Sequence, residues 1–290
     1  ITAVWDENAK RGKDWADELN VDFEPDLDVL LARDDIDAVI CCTPTTMHDE
    51  VLIKAAQAGK HIFTEKVLAL TIEDCLKIEE AVNKNGVKFV ISLFQKYIGS
   101  RIAVKNVVDS GELGKVNYMR FRNCHSGSTD GWLPTHFFNK EECGGGAMID
   151  LGAHGMYLTH WILGLPESSK SVFTIACEKD GYELKNVDNL EDNAVTVMGY
   201  SDGAIAINET GFVSCCSPTV LEVYGENGYV RMEDNKVVKC TVATQKIPVE
   251  VEVPESLPSP LEQFISGEIL DGCGMAEAKA LTQMMVMAYR

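Results

Sequence analysis

Ala38-Val39-Ile40-Cys41-Cys42-Thr43-Pro44-Thr45-Thr46-Met47-His48 is the stretch on which the fold turns. Five consecutive residues without polar alternation describe a strand covered on both faces, as in a parallel sheet. Pro44 then fixes the backbone, and three threonines lead into a helix expected from about Met47 to Ala58. Gly59 follows, the residue expected just past a helix C-cap. His61–Thr64 is a second apolar strand, so strand, helix and strand succeed one another without a break.

The same rhythm extends outward. Upstream, Ile1–Trp5 reads as a strand, Ala9, Gly12, Ala16 and Leu19 recur at helical spacing, and Leu27, Leu30 and Leu31 mark a short helix. Downstream, Thr71 with Asp74 opens a helix in the manner of a capping box, Gly86 closes it, and Val87–Leu93 is a further strand. The expected fold class is therefore α/β: a doubly wound, Rossmann-type parallel sheet with its ligands off the carboxyl ends of the strands. After about Gln95 the pattern changes. Helices near Ser100–Asp109 and Ala147–Leu163 flank strand candidates at Val116–Asn123, Val172–Cys177, Ala194–Gly199, Ala204–Thr210, Val220–Tyr224 and Val237–Val242, joined by Asp- and Gly-rich turns. This predicts two domains: residues 1–95, dinucleotide-binding and without its first strand, and residues 96–290, an α+β domain with an open, mainly antiparallel sheet. Ile1 opens directly on a strand and Tyr289-Arg290 ends a helical pattern without a cap, so both ends read as cut.

Composition narrows the function. The 290 residues are 46% hydrophobic and 24% charged, a globular balance, and no apolar run is long enough for a membrane span. A formal charge of −19 opposes a nucleic-acid partner, which needs clustered Lys and Arg. The ten cysteines are scattered, Cys41-Cys42 and Cys215-Cys216 being adjacent pairs without zinc-knuckle spacing, and read as reduced thiols of a cytoplasmic protein.

Several residues can carry chemistry. Asp6, at the end of the first strand, is placed to accept from ribose hydroxyls and to repel a 2′-phosphate, favouring NAD over NADP; a turn or helix cap is the alternative. The Thr43, Pro44 and His48 segment offers donors to a cofactor, or is simply a well-capped helix start. Glu65-Lys66 leaves a buried strand, where a desolvated Lys66 could polarise a substrate oxygen; a surface ion pair with Glu65 competes. The strongest signal is Gly144-Gly145-Gly146-Ala147-Met148-Ile149-Asp150-Leu151-Gly152-Ala153-His154. Three glycines would let backbone approach a ligand. Asp150 and His154, four apart, would share a helix face, the pairing a general base needs. A structural Asp–His pair and a metal pair compete, but His160 falls on another face, so no third ligand is evident and no metal is expected. Lys96, Tyr97, His125, Trp132 and Tyr157 are candidate substrate contacts, each equally open to packing or surface roles.

Together with Asp109-Ser110-Gly111-Glu112-Leu113-Gly114-Lys115-Val116, these residues resemble the Gfo/Idh/MocA family of glucose–fructose oxidoreductase and inositol dehydrogenase, over nearly the whole chain. The resemblance implies hydride transfer between NAD(P) and a sugar-like or polyol alcohol, with Lys66, Asp150 and His154 as the catalytic set. His154 would take the hydroxyl proton, Lys66 would steady the oxygen, and Asp150 would orient the base. Asp6, Thr43, Pro44, His48, Glu65 and Lys66 would serve the cofactor, and the second sheet would join subunits into a dimer or tetramer. Three departures stand out: the family's Gly-rich phosphate turn is absent, Val67 replaces the usual proline, and Tyr157 stands where many members carry an acid. A sugar- or dinucleotide-binding protein without activity, and an NAD-dependent glycosidase, are the alternative readings.

Overall fold

The capping signals in the sequence mark where the helices start and stop. The computed structural model describes residues 1–290. It opens with β1 (Ala3–Val4), α1 (Ala9–Leu19), β2 (Asp22–Phe23) and α2 (Leu27–Leu31). Asn8 accepts from the Lys10 and Arg11 amides to start α1, and Asp26 does the same for α2. Such side-chain caps each stabilise a helix by about 1 kcal/mol. Next come β3 (Ala38–Cys41), α3 (His48–Gln57), β4 (His61–Thr64), α4 (Ile72–Asn85) and β5 (Phe89–Ile91). Thr71 caps α4, and Gly86 ends it in the left-handed region at φ 63°.

All pairings here are parallel, but they form two sheets: β1 with β2, and β3-β4-β5 in that order. The single sheet expected from the sequence is divided between β1 and β3, because no strand of residues 1–290 lies between them. Their facing edges border a groove of about 1420 Å³, lined by Thr2–Trp5 on one side and Ala38–Cys42 on the other.

The chain continues through α5 (Gly99–Asp109), β6 (Val116–Cys124), α6 (Gly127–Asp130) and α7 (Lys140–Cys143) to a π-helical turn, Met148–Gly152, that runs into α8 (Ala153–Leu163). Then follow β7 (Ser168–Thr174), β8 (Asn193–Gly199), β9 (Ile205–Gly211), β10 (Val220–Gly225), β11 (Gly228–Glu233), β12 (Lys236–Thr241), β13 (Val249–Glu250), α9 (Pro260–Ser266) and α10 (Met275–Ala288). The strands form one eight-stranded sheet ordered β13-β12-β11-β10-β6-β9-β8-β7. Every pair is antiparallel except β6 with β9, which run parallel from Tyr118 opposite Ile205 to Cys124 opposite Gly211. The sequence reading places β7 too late and omits β11. Serines and a lysine dilute the apolar content of β7, and β11 buries only Val230 and Met232 between the exposed Arg231 and Glu233.

Helices cover one face of this sheet. α5 lies on β11 and β12, and α8 on β6 and β9. Gly155 permits the close approach of α8, since a Cβ there would lie 2.1 Å from the Asn208 side chain. Buried Asn208 donates from Nδ2 to the Gly152 carbonyl at 2.7 Å, locking the helix to β9. The C-terminal helices return to the first domain: α10 packs on α4 and β5, the Ile91 amide donates to the Cys273 carbonyl, and Phe264 meets Phe63 at 5.9 Å. Residues beyond 96 therefore complete the layer over the first sheet, and one continuous core runs through Ile62, Leu93, Val104, Met148 and Leu281. All ten cysteines are free thiols. No helix is long and apolar enough to cross a membrane.

Candidate active site

β4 delivers Lys66 to the carboxyl edge of the three-stranded sheet, and the buried Val67, Leu68 and Ala69 anchor the loop beyond it. The Lys66–Val67 peptide is cis. Lys66 Nζ donates to Asp150 Oδ1 at 2.6 Å and to the Asp150 carbonyl at 2.9 Å. Both side chains are largely buried, and no ion pair forms with Glu65. Burial alone would raise the Asp150 carboxyl, but the Lys66 ammonium outweighs it and holds the group below the ordinary aspartate value.

The segment bearing Asp150 is fixed from behind. Glu191 accepts from the Gly146 and Met148 amides at 3.1 Å each and from the Tyr289 hydroxyl at 2.6 Å. A carboxylate at this N-terminal end also suits the positive end of the helix dipole. The three glycines expected to admit a ligand instead admit protein: a Cβ on Gly145 would lie 2.3 Å from the Tyr289 hydroxyl, and one on Gly146 2.0 Å from the Glu191 carbonyl.

The expected Asp150–His154 pair also requires correction. Asp150 sits in the π-helical turn, whose extra residue per turn breaks the i,i+4 stacking of a regular helix, and it turns to Lys66 instead. His154 Nδ1 is bonded to the Tyr157 hydroxyl at 2.9 Å, and Phe94 stands edge-on to the imidazole at 5.2 Å. Burial, then the neighbouring Lys66 charge, pushes the His154 pKa down to about 3, with Asp150 pulling the other way and Arg101 adding to the fall.

The groove between β1 and β3 ends on this pair. Asp6, Thr43, Pro44, Glu65, Lys66 and Asp150 all line it. Arg11 and Cys143, neither singled out by the sequence, line it too. Arg11 Nε donates to Asp6 Oδ2 at 2.6 Å, and the Asn8 amide donates to Oδ1 at 2.7 Å, so Asp6 also shapes its own turn. Burial pushes the Cys143 thiol up to about 11, with Asp150 adding to the rise. A motif search passes over it, because it is a single cysteine in a short helix.

Other residues lie elsewhere. His48 is buried, with ring nitrogens 3.1 Å from the Leu68 carbonyl and 3.0 Å from the Thr43 carbonyl; it ties two loops together and is closed to a cofactor. Lys96 donates to the Gly272 carbonyl and lies over Trp161, and Tyr97 donates to the Asp271 carbonyl; both are buried in packing and turned from the groove. Tyr157 is buried against His154 and cannot reach a substrate. His125 and Trp132 are not among the residues that line the groove. Trp132 is 57% exposed, its ring 4.7 Å from that of His125, which stacks on Phe212 at 5.0 Å. Burial lowers the His125 pKa against the opposing pull of Asp150.

The groove suits the two ends of a nicotinamide dinucleotide better than its middle. Asp6 offers an acceptor where ribose hydroxyls are bound in such folds, and Lys66 and Asp150 line the same groove. A glycine-rich turn presenting backbone N–H groups to a diphosphate is not among residues 1–290.

Residues 1–93 match the sequence profile described as an oxidoreductase family with an NAD-binding Rossmann fold, and residues 102–231 match the Gfo/Idh/MocA C-terminal domain. The chain belongs to the Gfo/Idh/MocA family. Among curated relatives, 2,7-anhydro-N-acetylneuraminate hydratase of Mediterraneibacter gnavus is 28% identical over 80% of this chain and 60% of its own length. The scyllo-inositol 2-dehydrogenase (NAD(+)) of Bacillus subtilis is 31% identical over 59% of the chain and 48% of its length. The chain thus spans about half to three-fifths of these two proteins. Levoglucosan dehydrogenase, solved in complex with NADH, superposes with a TM-score of 0.82 at 16% identity, covering 99% of this chain and 86% of that one. Aldose–aldose oxidoreductase from Caulobacter crescentus gives 0.81 at 19%, covering 100% and 88%. At such identities these structures establish the shared fold.

A buried, neutral His154 has a signature in stability. Its folded pKa lies below the ordinary histidine value of 6.5, so the unfolded chain binds the extra proton first. The His154 contribution is complete above pH 6.5 and is lost as pH falls toward 3, with a slope of about 1.4 kcal/mol per pH unit. Urea unfolding of wild type and His154→Gln between pH 4 and 7 should show the variant with the shallower fall; equal slopes would exclude a buried neutral imidazole.

Proposed function

We propose that the protein is an NAD-dependent oxidoreductase of a sugar-like or polyol alcohol, working in a reducing, cytoplasmic compartment to which ten unbridged cysteines are suited. The observation that carries this reading is the 2.6 Å contact between Lys66 and Asp150 at the end of the groove, which joins a charge from each domain where a substrate oxygen can be met. Relatives named as inositol dehydrogenases support the substrate class.

Nicotinamide, when bound, supplies the hydride acceptor; the chain supplies positioning and proton handling. Lys66, held in place by its hydrogen bond to Asp150, faces the substrate oxygen and stabilises charge developing there. His154, one turn further along the same helical segment, is the second polar group for that oxygen. Trp132 and His125 offer an aromatic face to the C–H side of a sugar ring. Asp6 favours NAD over NADP through like-charge repulsion, although Arg11 beside it softens that preference.

With NAD and a panel of polyols and aldoses, NADH formation should fall by about 10²–10⁴-fold in Lys66→Ala and by more than tenfold in His154→Ala, typical of acid–base and oxyanion groups. Retention of most activity in both variants would remove them from the chemistry. One observation favours a second reading: the relative named a hydratase implies a reaction without net oxidation. Turnover of a sugar substrate that requires NAD yet accumulates no NADH would select it.

The outer face of the eight-stranded sheet supports assembly into a dimer or larger homo-oligomer. Val172, Val195, Val197 and Ile205 are exposed on it, beside Arg120 held between Glu209 at 2.7 Å and Glu222 at 3.2 Å. Val197→Asp should convert the assembly to monomers in analytical ultracentrifugation while circular dichroism stays unchanged. A monomeric wild type, or an intact assembly in the variant, would refute this interface.

A further inference from the structure

The sequence gives His154 the role of a base, yet its hydrogen bonds are arranged for the opposite. Tyr157 lies one helical turn beyond it and is 2% exposed. The Tyr157 hydroxyl oxygen already accepts the Gln95 backbone N–H at 3.1 Å, and 2.9 Å away lies His154 Nδ1. A phenol has one proton to give. Gln95 Oε1 has no partner, so it does not take that proton, and Nδ1 is the acceptor within reach. Were Nδ1 protonated instead, the Tyr157 oxygen would face two N–H donors, and its own buried proton would lack an acceptor, a costly arrangement. The bonded set is therefore complete in one tautomer only.

We propose that Tyr157 is a positioning residue that holds His154 in its Nε2–H tautomer, making the imidazole a neutral hydrogen-bond donor to the substrate oxygen rather than a base. This rests on the oxidoreductase reading of the same site. Nε2 has no protein partner and is not among the fully enclosed atoms that lack one, so it is the ring nitrogen left free to donate. The charges around the ring agree: Lys66 and the buried Arg101 guanidinium both oppose a positive imidazole. A neutral imidazole that polarises a carbonyl without titrating is an established catalytic device. In the reducing direction, the carbonyl carbon gains the hydride that a reduced nicotinamide would supply, while the C=O π pair moves onto oxygen. His154 Nε2–H meets that charge, and a proton from Lys66 Nζ completes the O–H bond; the resulting amine is reprotonated from water. In the oxidising direction Lys66 first gives a proton to water, and the neutral amine then takes the hydroxyl proton as the hydride leaves the same carbon for the nicotinamide.

The chain has six histidines, so selective ¹⁵N-histidine labelling gives a readable spectrum, with His154 assigned by its loss in His154→Gln. In the wild-type chain without substrate, His154 should be neutral at pH 7, with its proton on Nε2. In Tyr157→Phe that preference should weaken to a mixture of tautomers. A wild-type resonance showing Nδ1–H or imidazolium, or a tautomer unmoved in Tyr157→Phe, overturns the proposal. Kinetics supply the second arm. Tyr157→Phe should lower kcat by about tenfold or more with KM nearly unchanged, and His154→Gln, which can donate but cannot act as a base, should retain at least tenfold more activity than His154→Ala. A glutamine variant no better than alanine overturns the donor role. Absence of turnover in wild type counts against the oxidoreductase reading and leaves the spectroscopic result standing.

Discussion

An ion pair between two domains organises this molecule. Lys66 comes from the loop after the central strand of a parallel sheet and Asp150 from a helical segment of the second domain, and they meet at 2.6 Å with both side chains largely buried. A charge buried this way is tolerated only with its partner in place, and loss of one member typically costs about 3–5 kcal/mol. The pair therefore links domain arrangement to site chemistry: wherever the second domain docks, it must deliver a carboxylate to that ammonium. The surrounding structure serves this requirement. Glu191 and Tyr289 fix the start of the helical segment, Asn208 fixes its middle to the sheet, and Tyr157 bonds to His154.

The groove gives the pair its context. It is bordered by two open strand edges and lined by the Asp6–Arg11 contact and by Lys66 and Asp150. Open edges expose backbone donors and acceptors, and exposed apolar side chains line the groove beside them, Ile40 from β3 and Trp15 from α1. The surroundings of Lys66 and Asp150 are different in kind. These two residues are hydrogen-bonded to each other, with His154 packed edge-on against Phe94 beside the core.

Much of this was legible in the sequence, for physical reasons. Continuous apolar strands separated by capped helices leave little choice but a parallel sheet, and Asn8, Asp26, Thr71, Gly59 and Gly86 act where their types predict. Lys66 and Asp150 could be found because charged groups at the end of a buried strand and beside a glycine run are out of place unless used. What could not be read is how their partners are shared. Periodicity assumes a regular helix, so the π-helical turn at Met148–Gly152 was invisible, and with it the exchange of Asp150 from His154 to Lys66. Tyr157, Lys96, Tyr97 and His48 carry polar atoms that suit a ligand equally well, and only tertiary packing directs them to backbone carbonyls, a backbone amide and the His154 ring. The parallel pairing of β6 with β9 was equally hidden, since alternation along a strand says which face is buried but not the direction of its neighbour.

The account stands on the Lys66–Asp150 coupling, and a double-mutant cycle measures it without reference to substrate or cofactor. Lys66→Met, Asp150→Leu and the double variant would be unfolded in urea beside the wild type. The structure predicts that each single change is strongly destabilising and that the double is less so than their sum, leaving a coupling of about 1–3 kcal/mol. Strictly additive effects would mean that these two side chains do not sense each other, and the arrangement built around them would fail.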